Sequence, residues 1–235
     1  MNSNPQDGTS VKKYGLALHT ASRELGLAIS NFAGDSRCQT WNLDRDLATH
    51  LHQYLVEFIR PQTWADLAFI AVAKGPGGFT GTRMGMVTAR TLAQQLDIPV
   101  FAISTLAAVA WAQPPQTPEA WGGLLSAEPP LASEGLLSIA LQMPAQRGQL
   151  FGAVYSVNKD SGLTELFPDT VMTAESWQEK LESWENSYQL IEVGSELGWS
   201  VSSVLELAYL EWKQGNRPAW SDALPYYGQH PVKGH

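Results

Sequence analysis

The residues with the clearest chemical potential lie between positions 74 and 90, in the run KGPGGFTGTRMGMVTAR. Gly75, Gly77, Gly78 and Gly81 separate an apolar stretch from an amphipathic one. Glycine tolerates positive φ and lets another backbone approach closely, so this density indicates a tight turn of defined shape. A turn that leads into a helix can bind an anion, because free N–H groups and the helix dipole converge there. Phosphate binding is therefore the first candidate chemistry.

The two common phosphate-binding patterns do not match this turn. The Walker pattern needs a lysine after its last glycine, whereas Thr82 and Arg83 follow Gly81. The dinucleotide pattern G-x-G-x-x-G fails because Thr80 stands in place of the last glycine. An equally simple interpretation is that the glycines let a helix pack flat on its sheet and on a partner. The residues of the turn leave both interpretations open.

Other catalytic or metal-binding patterns are missing from the sequence. Ser22 and Ser104 lack a G-x-S-x-G context, and Asp44 and Asp46 are better explained as helix caps than as a catalytic pair. Cys38 is the single cysteine, which excludes an intramolecular disulfide and a multi-cysteine zinc site. We therefore predict no catalytic residue, metal or cofactor. The histidines, which show no metal-binding spacing, are His19, His50, His52, His230 and His235.

The composition is typical of a globular protein that does not grip nucleic acid by itself. The 235 residues are 44% hydrophobic and 16% charged, enough for one large domain or two small ones. Fifteen basic and 23 acidic residues give a net charge of −8, which disfavours independent binding to phosphate backbones. No apolar run approaches the roughly 20 residues of a membrane helix. Because residues 1–10 do not resemble a targeting segment, we expect a cytoplasmic protein without membrane contact.

Hydrophobic periodicity predicts two α/β halves in which strands come first and then alternate with helices. Ser104 is a favourable N-cap for one of these helices. The predicted strands are 14–18, 25–30, 37–42, 67–73, 99–103, 136–141, 150–157 and 190–193. The first predicted helix starts at Asp44 or Asp46 and ends near residue 60. The other predicted helices cover 80–96, 106–112, 174–184 and 201–214.

Proline content and periodicity divide the chain into two lobes. We expect a disordered tail at 1–13, a first lobe at 14–112 and a second lobe at 136–228. Between the lobes, residues 113–135 contain five prolines and little periodicity, which predicts a linker or an exposed loop. Residues 229–235 are expected to form a second tail.

Residues 71–110 resemble the signature region of a known family, the tRNA threonylcarbamoyladenosine biosynthesis protein TsaB, formerly YeaZ. That family typically has a sequence close to GPGSFTGLRIG, followed by a helix, an Ile-Pro pair, a short strand and SSLEALA. Weaker similarity covers most of residues 14–230, including Arg147-Gly148 and Pro225-Tyr226-Tyr227. The residues in register with the signature are Gly75, Pro76, Gly77, Phe79, Thr80, Gly81, Arg83, Gly85, Ala89, Ile98, Pro99 and Ser104.

The resemblance implies a fold and a role. The fold is a duplicated ribonuclease-H-like α/β fold of the sugar kinase, actin and Hsp70 class, with two lobes and mixed sheets. The role is that of an inactive paralogue of the catalytic subunit TsaD: family members form a heterodimer with TsaD and support threonylcarbamoyl transfer to adenosine beside the tRNA anticodon. The implied partners are TsaD, the ATPase subunit TsaE and, when TsaD is absent, a second copy of the chain. Contact with tRNA is implied only indirectly.

Three departures from the related sequences argue against independent catalysis. TsaD uses two histidines as metal ligands where this chain has Thr105 and Val109, neither of which can bind the metal. The family usually has an acidic residue in a D-T-S context after the first strand, where this chain has His19-Thr20-Ala21. It also has a second-half motif close to DARRGEVY, where residues 144–151 are PAQRGQLF. Carboxylates at such strand ends hold Mg²⁺ beside nucleotide phosphates, so their loss disfavours ATP hydrolysis.

We predict that helices 44–60 and 80–96 present a joint apolar face to TsaD, although the same residues could instead pack on their own sheet. One alternative is a nucleotide-dependent transferase or ATPase that uses the turn at 75–81. Another is a peptidase, which no triad or metal spacing supports. The predicted interface residues are Leu51, Tyr54, Leu55, Phe58, Met84, Val87 and Thr91. The glycine turn, structural or weakly anion-binding, comprises Gly75, Pro76, Gly77, Gly78, Phe79, Thr80, Gly81 and Arg83.

Overall fold

The computed structural model describes residues 13–113, 138–158 and 162–228. The first of these ranges forms a sheet with helices, which we call lobe 1. Its elements are β1 (Tyr14–His19), β2 (Glu24–Ser30), β3 (Ser36–Asn42), α1 (Leu47–Phe58), β4 (Leu67–Ala73), α2 (Phe79–Leu96), β5 (Val100–Ile103) and α3 (Thr105–Ala112).

The remaining ranges form a second sheet with helices, which we call lobe 2. A short 3-10 helix at Gly198–Ser200 leads directly into its last helix. The elements of lobe 2 are β6 (Ser138–Pro144), β7 (Gln149–Asn158), β8 (Gly162–Thr173), α4 (Ala174–Glu182), β9 (Tyr188–Glu192) and α5 (Val201–Lys213).

The two sheets repeat one topology. In lobe 1 the strand order is β3-β2-β1-β4-β5, with the first three strands antiparallel and β4 and β5 parallel to β1. In lobe 2 the order is β8-β7-β6-β9, again with an antiparallel meander and a parallel strand beside its first member. This repetition confirms the predicted arrangement of two lobes with mixed sheets.

Each sheet is covered on both faces by helices. In lobe 1, Leu16 and Leu18 of β1 face α1 and α2, whereas Ala17 between them faces α5. The last helices are exchanged between the lobes, because α5 packs on the sheet of lobe 1 and α3 packs on the sheet of lobe 2. Helices α3 and α5 also contact each other, so they form a shared central layer between the two sheets. The glycine turn is hydrogen-bonded to the start of α3, which belongs to this layer.

Most predicted elements are present within about two residues of their expected ends. Ser104 caps α3 as predicted, since its Oγ accepts a hydrogen bond from the Ala107 N–H at 3.2 Å. Asp46 occupies the N-cap position of α1 as predicted, but neither its side chain nor that of Asp44 accepts a capping hydrogen bond, and a 3-10 turn at 44–46 precedes α1. The expected tails and the Pro-rich segment fall almost entirely on residues 1–12, 114–137 and 229–235, outside the described ranges, and stay predictions.

Strand β8 was not predicted from the sequence. It is an edge strand with many exposed residues, so it lacks the continuous apolar run of β4. Pro168 lies where the pairing with β7 shifts register, between the pairs Val154–Phe167 and Gly152–Thr170. Proline is tolerated at edges and bulges because no ladder hydrogen bond is needed there. A proline inside a half-exposed run therefore concealed the strand.

Among the described residues, no helix combines the length and apolar character needed to cross a bilayer.

Candidate functional site

The glycine turn connects β4 to α2 and is held by backbone hydrogen bonds to the start of α3. The N–H of Lys74 donates to the Ile103 carbonyl at 2.8 Å, and the N–H of Thr105 donates to the Gly75 carbonyl at 2.9 Å. Gly75 has φ +99°, in the region that favours glycine. The turn is therefore fixed to the neighbouring strand and helix rather than free in solvent.

Three of the glycines on this side of the molecule are needed because β1 ends against them. A Cβ atom on Gly77 would overlap the carbonyl oxygen of Ala21, and one on Gly81 would overlap that of Thr20. A Cβ on Gly85, one turn further along α2, would overlap the Thr20 hydroxyl. The Thr20 hydroxyl also donates to the Gly81 carbonyl at 2.8 Å. These contacts favour the interpretation that the glycines let α2 pack closely.

One backbone N–H of the turn that could donate to a bound phosphate already donates to another residue of the chain. The N–H of Gly78 donates to the Ala21 carbonyl at 2.7 Å. Pro76 is buried, whereas Gly77, Gly78 and Thr80 are exposed. The turn thus reaches solvent at the start of α2, but its backbone is shaped by the end of β1.

An aromatic cluster marks the exposed start of α2. Phe79 is 51% exposed, and the ring of Tyr227 packs on it with centroids 4.7 Å apart. The Arg83 guanidinium lies 5.2 Å from the centroid of the Phe79 ring. Phe79 and Arg83 were predicted as turn residues, but the contact of Phe79 with Tyr227 is visible only in the fold.

The predicted interface residues divide between the core and the surface. Leu51, Leu55 and Phe58 are at most 8% exposed and pack in the core between α1, α2 and the sheet, which is the alternative that the sequence left open. Of these three, Leu55 also lines the groove described below. Their helical spacing reports burial on their own sheet. The others reach the surface: Tyr54 and Met84 are half-buried, and Val87 and Thr91 are exposed.

A largely apolar groove of about 530 Å³ lies between α1 and α2. Val56 on α1 and Val87 on α2 line it and are 46% and 62% exposed. Val56 was missed, although it is an apolar residue outside the buried stripe of α1 and could have been noticed on that ground. The other groove residues absent from the prediction are His52, Trp64, Thr88 and Leu92.

Three of the positions where related sequences carry an acid or a metal ligand are buried here. His19 is fully buried at the end of β1 with neither ring nitrogen hydrogen-bonded, and burial lowers its pKa to about 4. Thr105 and Val109 lie inside the shared layer at 0% and 3% exposure. Within the ranges that the structure describes, no three His, Cys, Asp or Glu residues are placed to hold a metal ion.

A polar cluster between the lobes was also missed by the sequence analysis. The Tyr155 hydroxyl on β7 donates to Asp169 Oδ1 on β8 at 2.8 Å and lies 3.4 Å from Ser104 Oγ. Burial raises the pKa of Asp169, and burial together with the Asp169 charge raises that of Tyr155. The Tyr226 hydroxyl donates to the Asp169 backbone carbonyl. Because these residues are distant in sequence, no local pattern could predict the cluster.

Comparisons of sequence and of structure find similar proteins named TsaD, TsaB or YeaZ. The family model for TsaD, tRNA N6-adenosine threonylcarbamoyltransferase, matches residues 59–127. The tRNA threonylcarbamoyladenosine biosynthesis protein TsaB of Bacillus subtilis (strain 168) is 35% identical over 117 residues, 50% of this chain and 42% of the relative. TsaB of Buchnera aphidicola subsp. Acyrthosiphon pisum is 26% identical over 132 residues, 56% of this chain and 52% of the relative. The matched sequence thus spans about half the length of these relatives.

Solved structures extend the similarity to nearly the whole chain. YeaZ from Pseudomonas aeruginosa superposes with a TM-score of 0.67 at 19% identity, covering 91% of this chain and 99% of that protein. A Pseudomonas aeruginosa protein described as similar to peptidase YEAZ gives 0.65 at 20% identity, covering 92% and 99%. The chain is thus similar to TsaB proteins in sequence over about half its length and to YeaZ proteins in fold over most of it. These matches confirm the predicted two-lobe, ribonuclease-H-like fold.

Proposed function

We infer that the chain is a non-catalytic accessory subunit in tRNA threonylcarbamoyladenosine biosynthesis. In this role it binds a TsaD-type catalytic subunit and supports threonylcarbamoyl transfer to adenosine beside the tRNA anticodon. The names of the related TsaB proteins support the pathway. The TsaD family model, which covers α2 and α3, supports a catalytic partner built on the same kind of lobe.

The observation that carries the proposal is the exposed apolar groove between α1 and α2. Val56 and Val87 expose 46% and 62% of their surface, and Met84, Thr91 and Leu92 continue the same face. An apolar groove between two helices suits a pair of helices from a partner, whose side-chain ridges can fill it. The proposed docking face is therefore these five residues with His52, in place of the buried stripe of α1.

The chemistry of the strand ends supports an accessory role rather than a catalytic one. His19 is buried and remains neutral at neutral pH, so it cannot replace an acidic residue that holds Mg²⁺. Thr105 and Val109 offer no metal ligand at the start of α3. The catalytic groups for the transfer would come from the partner.

Further partners follow from the same proposal. A second copy of the chain would occupy the docking face when the TsaD-type subunit is absent. A TsaE-type ATPase subunit would join through the assembly, in the cytoplasm. With a net charge of −8, the chain would contact tRNA only through its partner.

Charge insertion into the groove tests the docking face. Val87→Glu and Val56→Glu each bury a carboxylate against the partner, and we expect each to weaken binding to a TsaD-type subunit by at least about 30-fold, about 2 kcal/mol. Binding is measured by calorimetry, and reconstituted tRNA modification should fall in parallel. Leu166→Glu is the matched control, because Leu166 is 41% exposed on lobe 2. Unchanged affinity in both groove variants would contradict the proposed face, and modification that proceeds without the chain would contradict the accessory role.

The alternative of a nucleotide-dependent transferase or ATPase has a separate test. The turn at 75–81 would have to bind nucleotide, although its Gly78 N–H is used by Ala21. We expect calorimetric titration of the isolated chain with ATP and Mg²⁺ to show no micromolar binding. Micromolar, Mg²⁺-dependent binding would favour the enzyme.

A further inference from the structure

Residues 218–228 cross the molecule as a strap that contains one 3-10 turn, Trp220–Asp222, and is held by separate contacts instead of a strand ladder. At its start, the Pro218 carbonyl accepts a hydrogen bond from the Val100 N–H at 3.4 Å, on the free edge of β5. Further along, the Trp220 ring lies 5.7 Å from the Arg90 guanidinium on α2, and Ala223 is buried in the core of lobe 1. Elements held by a few contacts can open locally at a free-energy cost well below that of global unfolding.

The end of the strap completes the glycine turn. The N–H of Tyr226 donates to the Lys74 carbonyl at 2.7 Å, just before the turn. A Cβ atom on Gly75 would lie 2.5 Å from the Tyr226 carbonyl oxygen, so the strap closes the space beside the turn. The next residue, Tyr227, packs its ring on Phe79, the first residue of α2.

The same tyrosine reaches the other lobe. The Tyr226 hydroxyl donates to the backbone carbonyl of Asp169 on β8, and its ring centroid lies 6.4 Å from that of Phe151 on β7. The Asp169 carboxylate in turn accepts from Tyr155, whose hydroxyl also lies beside Ser104, the N-cap of α3. Tyr226 therefore joins the glycine turn of lobe 1, through its backbone, to two strands of lobe 2, through its side chain.

We propose that the strap 218–228 is a latch, with Tyr226 as its fastening residue, that holds the glycine turn and the first turn of α2 in place. When Tyr226 is fastened, Tyr227 lies on Phe79 and α2 keeps a fixed start. When it is released, the Lys74 carbonyl loses its partner and Phe79 loses its cover. The latch depends on the proposed function only in that α2 carries the docking face, so the strap would set how α2 is presented to a partner.

Hydrogen exchange of the full chain tests the latch without any partner. Tyr226→Phe removes only the hydroxyl that fastens the strap to Asp169. Loss of one hydrogen bond should accelerate exchange of the Gly78 and Thr105 amides, on either side of the turn, by about threefold to tenfold. Tyr14→Phe is the matched control, because the Tyr14 hydroxyl also donates to an aspartate, Asp35 at 2.6 Å, elsewhere in lobe 1. Equal exchange at these amides in the wild type and both variants would overturn the latch.

A second variant separates the two contacts of the strap. Tyr227→Ala leaves Tyr226 fastened and uncovers Phe79, so faster exchange should be confined to residues 79–82. Affinity for a TsaD-type subunit should then fall in both strap variants by about threefold or more. Faster exchange with unchanged affinity would overturn the link to α2 presentation. If the wild-type chain binds no such subunit, the proposed function fails, and the exchange rates still decide whether the latch exists.

Discussion

The outer layers of the two lobes differ although the lobes repeat the same order of elements. Lobe 1 covers its sheet with α1 and α2, which leave an apolar groove open between Val56 and Val87. Among the described residues, the outer face of the lobe 2 sheet is covered by α4, which buries Trp177 and Leu181. The exposed residues of α4 are mostly charged or polar: Glu175, Ser176, Gln178, Glu179 and Glu182. The outer layer of lobe 2 is thus mostly polar, whereas that of lobe 1 leaves an apolar groove exposed, which is the proposed docking face.

The turns that precede α2 in lobe 1 and α5 in lobe 2 also differ. In lobe 1, glycines bring α2 against the end of β1 with backbone in direct contact. In lobe 2, the connection from β9 to α5 is satisfied by side chains of lobe 1: the N–H of Leu197 donates to Ser22 Oγ at 3.3 Å and that of Gly198 to Glu24 Oε2 at 2.9 Å. Close backbone packing also occurs before α5, because a Cβ atom on Gly26 of β2 would overlap the carbonyl oxygen of Gly198. The difference is that the turn before α5 adds hydrogen bonds to side chains of lobe 1.

The largest expected effect comes from filling the backbone contact in lobe 1. In Gly81→Ala the new Cβ would overlap the Thr20 carbonyl, so β1 and α2 must move apart, and we expect a loss of about 2–3 kcal/mol in the free energy of unfolding. Gly194→Ala is the control in lobe 2, because no atom lies within 4 Å of its added Cβ, and should change stability by less than about 0.5 kcal/mol. Urea denaturation measures both. Equal losses would remove the distinction between the two turns.

Much of this difference could be anticipated from the sequence, but not all of it. The continuous apolar run of β4 and the four glycines predicted a buried strand and a tight turn, because burial and positive φ leave local signals. The exposed face of α1 was not predicted. Leu51, Leu55 and Phe58 form its strongest stripe, and that stripe packs on its own sheet. An exposed apolar surface leaves a weaker signal in the sequence, such as the isolated Val56.

Long-range contacts were also beyond the reach of the sequence. Tyr155, Asp169 and Tyr226 come together only because β7, β8 and the strap meet beside α3. Asp169 lies on β8, the strand that was not predicted because it contains Pro168. The residue that connects this cluster was therefore in a segment for which no structure was predicted. Periodicity reports which face of an element is buried and carries no information on which distant element covers it.

An intermediate effect is expected from the strand ends, where the lobes also differ. His19 ends β1 fully buried, whereas Pro144 ends β6 exposed. The pKa of His19 is lowered to about 4 from 6.5, so between these pH values the unfolded chain binds a proton that the folded chain does not. Stability is therefore lost as the pH falls from 6.5 towards 4, by about 1.4 kcal/mol per pH unit.

Comparison with a variant that cannot titrate isolates this contribution. Between pH 7.5 and pH 5.0, the wild type should lose about 2 kcal/mol more unfolding free energy than His19→Met, measured by urea denaturation at each pH. All other titratable groups are the same in the wild type and in His19→Met, so the difference between the two losses reports His19 alone. Parallel losses in the two proteins would mean that His19 is protonated as easily in the folded chain as in the unfolded one.

The smallest effect on stability is expected when the same charge is added to each outer layer. Thr91→Lys lies on the exposed groove side of α2 near its C-terminal end, where lysine has the better helix propensity and suits the helix dipole. Gln178→Lys lies on α4, where the new ammonium can pair with Glu182, which now accepts from Gln178 at 2.8 Å. Both variants should therefore stay within about 0.5 kcal/mol of the wild type.

Partner binding should separate these two variants even though their stabilities agree. A lysine at position 91 must lose water when the groove is covered, so affinity for a TsaD-type subunit should fall by about tenfold, whereas Gln178→Lys should leave it unchanged. Because neither variant is destabilised, calorimetry reads the docking face without interference from unfolding. An equal loss from both variants would place the partner on lobe 2 as well, and an isolated loss from Gln178→Lys would move the contact surface to α4.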